Sequence, residues 1–330
     1  VTDFPFLGGE SGALTPSDSN SFETASGSFN SLFARCAMRA GNNSSSWQTS
    51  TVMPTSGTDL WLAFEMEVQG NSHSVENSIV VWDDGAGNDR VRIRFHRTTY
   101  SFTLQYWNGS AYVDAGTPIT LDAVAERQRI DIHIICNTAS GTLDLYVAGT
   151  RRIASGTINL SGIASMHKAR FHGMTFGPVG IPIDYSQVQI DDVSTIGKPV
   201  MTVVMTGNGN STTWTGDFTN IDEIVSSDVD VINGVANTDK ELYTGTPVGS
   251  FTGYRITGLA ITSRSKKSGS GPAQMRHLLR SAGSNNNGTT LAQDFGYLAY
   301  YHSWTTNPAT AVAFLSSEIA ALEYGEEALT

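Results

Sequence analysis

Apolar and polar side chains alternate with a period of two through most of this chain, the spacing at which successive residues of a β-strand point to opposite faces of a sheet. Between residues 90 and 96, Val91, Ile93 and Phe95 alternate with Arg90, Arg92, Arg94 and His96. Residues 101–107 continue with Phe102, Leu104 and Tyr106 on one face. Asn108-Gly109 then supplies a dipeptide suited to the positive-φ positions of a tight turn before Ala111, Tyr112 and Val113. The pattern predicts a three-strand meander. Residues 60–68 set Leu60, Leu62, Phe64, Met66 and Val68 against Trp61, Ala63, Glu65 and Glu67. Residues 129–136 and 142–148 repeat the theme around a turn-forming stretch, and 187–193 closes the region. Such a series of strands, each with one apolar face, needs a second sheet to cover that face, so residues 1–197 are expected to form a β-sandwich.

After residues 196–200 the pattern restarts with an apolar strand at 201–205, and further strands are predicted at 254–263, 273–280 and 295–301. Residues 265–272 (SKKSGSGP) read as an exposed hairpin loop with Lys266 and Lys267 in water. Residues 307–325 place Val312, Leu315, Ile319 and Leu322 at near-helical spacing with Gly325 as a stop, which predicts a short C-terminal helix. The last part of that segment equally suits an extended terminal strand. The expected organisation is all-β: two β-sandwich (jelly-roll) domains in tandem, at 1–197 and 198–330.

Composition supports this outline. A chain of 330 residues exceeds what one core usually serves. Gly (33) and Ser plus Thr (72) are abundant while charged residues make up 15%, a mixture that suits turns and strands better than long helices. The net charge of −11 repels a phosphate backbone, and it divides as −7 over 1–197 and −4 over 198–330, so neither part is a basic arm for nucleic acid. No run of 18 apolar residues occurs and the N-terminal residues lack the features of an export signal, so no membrane insertion is expected. Cys36 and Cys136 both sit in apolar stretches and are expected to be buried free thiols rather than a disulfide framework.

Signatures of catalysis are sparse. Phosphate-binding, nucleophile-elbow and HExxH motifs are missing, and the nearest histidine pair, His167 and His172, has no ligand or nucleophile companions in sequence. Glu65 and Glu67 share a strand face, and the two carboxyls of a retaining glycosidase lie about 5–5.5 Å apart. The third carboxylate of an E-x-D-x-x-E arrangement is missing, so a solvated strand face is expected and the chain reads as non-enzymatic. Asp83, Asp84, Asn88 and Asp89 in a Gly-rich loop offer oxygen ligands of the kind Ca²⁺ takes, although the same residues suit a plain hairpin turn. No other cofactor is expected. Trp47, Trp82, Tyr106, Trp107 and Tyr112 would stack on sugar rings if they gathered at a sandwich edge; otherwise they fill the core.

One resemblance rests on quoted residues. Trp214-Thr215, Asn220 to Glu223 (N-x-D-E), Asp228 to Asp230 (D-x-D), Glu241-Leu242-Tyr243, the Lys266-Lys267 turn, Leu279-Arg280-Ser281 with Gly283, and Asn307-Pro308 through Ile319 to Gly325 resemble a recurrent domain of tailed-bacteriophage virion structural proteins. Phe314 stands where that pattern has an aromatic. The N-terminal part is similar to the laminin G/concanavalin A-like jelly roll, with Ile190 to Val193 as its closing "IDDV" strand. The resemblance implies a non-enzymatic component of a phage particle, on tail or head. It also implies a protein assembled in the host cytoplasm, partnered by copies of itself (a trimer being the expected homo-oligomer) and by other virion proteins, and able to touch host glycans. A lectin-like surface module that binds glycan with Ca²⁺ is the alternative.

Overall fold

The computed structural model describes the chain apart from residues 1–5, 9–13, 17–20, 24–36, 41–45, 50–57, 69–75, 85, 97, 122–126, 138–139, 161–162, 164, 177–178 and 224–227. Every regular element among the described residues is a β-strand or a single 3-10 turn, so the chain is all-β. It divides into two compact units, residues 4–200 and 201–330.

In the first unit, two eight-stranded antiparallel sheets form a sandwich. One sheet is centred on Asp59–Val68, which pairs with Gln128–Ile135 on one side and Ile183–Asp191 on the other. The second runs from Tyr112–Asp114 through Ser101–Trp107, Asp89–His96, Glu76–Asp83 and Ala169–His172 to Ser46–Thr49 and Leu14–Pro16. The strict alternation at 90–96 appears as buried Val91, Ile93 and Phe95 between half-buried arginines. The predicted meander forms: Asn108 Oδ1 accepts from the amides of Ser110 and Ala111, and Gly109 takes φ +102°, so Trp107 faces Tyr112 across the turn.

The two sheets meet through their apolar faces. Phe64 of one packs against Phe171 of the other at 5.4 Å between ring centroids, and Tyr185 lies against both. Burying each such side chain stabilises the fold by about 1.5–3 kcal/mol. Tyr185 also reaches across the core with its buried hydroxyl, whose one proton is shared between the carbonyls of His172 (2.7 Å) and Ile79 (3.0 Å). Its phenol is therefore paired at the one point where apolar packing would leave it unsatisfied.

In the second unit, a six-stranded sheet runs Val203–Thr212, Lys240–Pro247, Glu323–Leu329, Gln274–Ser281, Ser284–Asn287, with Leu291–Ala292 also on Gln274–Ser281. A two-stranded sheet, Leu259–Ser265 with Leu298–Trp304, supplies the second layer. Leu259 and Trp304 from the smaller sheet join Leu279 and Tyr324 from the larger one in a single apolar cluster with Phe314, Ile319 and Leu322.

Three expectations for this unit are corrected. The helix over 307–325 does not form. Asn307 closes a turn instead, accepting from the amides of Thr310 and Ala311 and donating to Val312, with Ala311 in the left-handed region at φ +58°. Only Ile319–Ala321 makes a 3-10 turn, and Glu323–Leu329 is the extended terminal strand. The near-helical spacing misled because Val312 and Leu315 are exposed, while the inward set is Phe314, Ile319, Leu322 and Tyr324. Gly325 is no helix stop. It sits mid-strand opposite Leu242, where a Cβ would collide with the carbonyl of Glu241. Finally, residues 265–272 do not close a hairpin: the strands on either side belong to different sheets, so this loop carries the chain from one layer to the other.

Cys136 is a free thiol, half-buried rather than buried, and burial pushes it up to about 12. Cys36 lies outside the described residues.

Candidate functional site

The four oxygen-bearing residues of the 83–89 loop each find a partner within the protein. Asp83 is buried, accepts from the Lys168 amide at 3.2 Å and lies 3.9 Å from Lys168 Nζ. Asp84 accepts from the amides of Ala86 and Asn88, from the Asn88 side chain and from Arg90 Nε at 2.8 Å. Burial raises the Asp84 carboxyl, but these hydrogen bonds outweigh it and hold the group below the ordinary aspartate range. Asp89 pairs with Arg170. Three carboxylates thus face three different cations, and among the described residues no group of three or more His, Cys, Asp or Glu side chains is disposed to hold a metal ion.

Glu65 and Glu67 lie on the outer face of the first sheet. Glu65 pairs with Arg127 at 3.0 Å and accepts from Ser186, and the flanking carboxylates are likewise matched: Asp184 takes two bonds from Arg39 and Asp144 takes one from Arg151. This face is a lattice of ion pairs. Of the aromatics, Trp82 is fully buried and donates to the carbonyl of His167, and Tyr106 is buried too. Trp47 lies on the strand Ser46–Thr49, with its side chain outside the described residues. Of these five, Trp107 and Tyr112 come together near the surface, edge to face at 5.3 Å, while Trp61, His133 and Tyr146 pack together on the outer face of the first sheet.

The second unit holds a Ser–His–carboxylate set that sequence reading missed. Ser263 Oγ lies 3.0 Å from Nε2 of His277, and Glu326 Oε1 lies 3.7 Å from the same nitrogen. A hydrolytic relay needs nucleophile and orienting acid on opposite ring nitrogens. Here both share Nε2, Nδ1 makes no hydrogen bond, and the ring is wholly buried. Burial, reinforced by His302, drops this imidazole to about 3, so it stays neutral. The residues quoted above from this unit also have architectural duties. Asn220 bonds Asp230 and completes the cap on Phe218–Asn220, Asp228 takes two bonds from Arg264, and Glu241 accepts from the Trp214 amide.

The second sheet of the first unit carries a different kind of place: an open groove of about 500 Å³ on its outward face. Arg92, Val81 and Arg170 stand abreast on three adjacent strands. The first and third strands are about 10 Å apart, so long side chains can close over the small one between. On the other side of Arg92, Gln105 and then Asp114 continue the row. Asp114 accepts from Gln105 Nε2 at 2.6 Å, which turns the Gln105 carbonyl oxygen toward Arg92 Nε at 2.7 Å. The Arg92 guanidinium lies 3.7 Å from the centre of the Tyr112 ring, and the Tyr112 hydroxyl is anchored on the carbonyl of Asp89. Burial holds Arg92 below its ordinary basicity, Tyr112 opposes this and Arg94 adds to it. Arg94 pairs with Glu76 at 2.8 Å, and Asn77, Ser78 and His172 complete the lining. The arginines at 90–96 were visible as the polar face of a strand; that Arg170 joins them depends on pairing between segments far apart in the chain.

No family model matches the chain, and no curated protein matches it. Solved structures similar to it include the cellulose-induced protein Cip1, at 13% identity and a TM-score of 0.39, covering 55% of this chain and 90% of that one. The binding domain of botulinum neurotoxin serotype D/C is similar at 9% identity and a TM-score of 0.41, covering 88% and 66%. A third, titled for type C neurotoxin cell entry that depends on two ganglioside molecules, stands at 8% identity and a TM-score of 0.42, covering 96% and 93%. At these scores the likeness identifies no family and transfers no residue.

Proposed function

We propose that this chain is a non-catalytic saccharide-binding protein of a tailed-phage particle, with the groove around Arg92 as its binding site. The groove carries the reading. It is open, falls within the roughly 300–1,000 Å³ range of small-molecule sites, and is lined by planar polar groups already held in place by one another. Multiple hydroxyls need closely spaced donors and acceptors, and Arg94, Glu76, Ser78 and Asp89 supply both kinds. The absence of any step of bond cleavage from the reading is supported by the two acid–base sets described above: Glu65 is tied to Arg127, and His277 is buried, neutral and wrongly disposed. The particle setting is supported by the quoted motif residues of the second unit.

Binding is tested by passing the intact chain over an array of immobilised glycans. Retention on at least one saccharide is expected, with the retained fraction falling at least tenfold in Tyr112→Ala, which removes the ring that holds Arg92. Because the proposed contacts come from protein side chains without a metal, EDTA is expected to leave retention unchanged. Retention abolished by EDTA would favour the Ca²⁺-dependent alternative at 83–89.

A further inference from the structure

We infer that the saccharide taken by this groove is an acidic one, bearing a single carboxylate of the uronate or sialate kind, seated on Arg92 and Arg170; the inference rests on the binding reading given above. Three arginines line the groove against two carboxylates, Glu76 and Asp89, leaving a local excess of one positive charge in a chain whose net charge is −11. Glu76 is assigned to Arg94 and Asp89 to Arg170. Arg92 is bonded to no carboxylate among the described residues: its Nε is spent on the neutral oxygen of Gln105, and its flat face lies on Tyr112. That arrangement fixes the plane of the guanidinium and leaves its two terminal nitrogens without a hydrogen bond among the described residues, a pair that can take a carboxylate through two parallel bonds. Arg170, whose Nη2 is held by Asp89, brings a second guanidinium to the same lining. Both stand beside Val81, which is buried between them, and the Tyr112 ring adds the aromatic part of the lining.

The same census argues against a polyanion. Glu76 and Asp89 would repel a dense run of charges, and so would the acidic chain around the groove, whereas they serve as acceptors for the hydroxyls of a singly charged sugar. A neutral sugar, conversely, would leave the Arg92 fork without the anion it is shaped for.

The test uses matched pairs of immobilised glycans that differ only in the acid group: glucuronate-terminated against glucose-terminated, and sialylated against desialylated. The intact chain is expected to bind the acidic member of at least one pair ten times more tightly or better, and the preference should shrink between 50 and 500 mM salt. Arg92→Gln should abolish the preference. Arg92→Lys and Arg170→Lys keep the charge and remove the fork, and each is expected to weaken acidic binding several-fold with an unchanged unfolding midpoint. Equal or better binding of the neutral members overturns the acidic assignment and leaves saccharide binding standing. Tightest binding to sulfated or phosphorylated glycans also overturns it, in favour of a different anion. Retention of no glycan at all overturns both readings.

Discussion

Asp191 lies at the end of the strand Ile183–Asp191, where it is almost completely enclosed yet remains 3.6 Å from Lys198 Nζ. Burial wins over the lysine and pushes its carboxyl up to about 6. The fold therefore prefers the protonated group: its contribution is fully present below about pH 4, the range of a free aspartate, and is lost as pH rises through about 6. Asp191→Asn removes the ionisation while keeping an oxygen for the Val193 amide, and the Gln189 side chain, whose own oxygen is unbonded, can turn to accept the new amide hydrogen. The substitution is expected to raise stability at pH 8 by on the order of 2 kcal/mol and to flatten the change between pH 4 and 7, measured by urea unfolding across that range. A mutant with the same pH slope as the parent would show that the Lys198 pair, rather than burial, governs the group.

Strands demand more of individual backbone positions than their alternation reveals. Gly325 is expected to be irreplaceable: Gly325→Ala drives a methyl group into the Glu241 carbonyl and should cost roughly 3 kcal/mol or more, seen as a lowered melting temperature or loss of soluble protein. Gly283→Ala is the control, since Gly283 has φ +80° but nothing within 4 Å of the added carbon, and should cost only about 1 kcal/mol. The two glycines look alike in sequence and differ in backbone conformation and in what another strand places beside them. The same limit explains the helix that does not form at 307–325. Of the four apolar residues at near-helical spacing, Ile319 and Leu322 are buried and Val312 and Leu315 exposed, and the buried Asn307 holds both Ser281 and the Ala309 amide, fixing a turn that no local periodicity encodes. Where pairing is local the strand pattern was legible, as in residues 90–113 with their Asn108-Gly109 turn. Where it is distant, as for Arg170 beside Val81 or Ser263 beside His277, the sequence held the side chains without their neighbours.

At the level of the whole chain, each of the two β-sandwich units is lightly charged and acidic, and no helix among the described residues is long and apolar enough to cross a membrane. The proposed setting on a phage particle makes a direct demand: antibody raised against this chain should decorate intact particles in the electron microscope, and the purified chain should sediment as a closed homo-oligomer, a trimer being expected. Unlabelled particles together with a monomer at all concentrations would remove the particle setting and leave a free-standing binding protein. The groove lies on the second sheet of the first unit, and the strands bearing its Ser78 and His172 edge are the ones whose Ile79 and His172 carbonyls accept the hydroxyl of Tyr185. That phenol acts as a rivet driven through the sandwich. Sliding the floor of the groove against the opposite sheet would break that contact, so the proposed ligand would meet a surface held in shape before contact, and selectivity would be a matter of which molecules match it rather than of which can mould it.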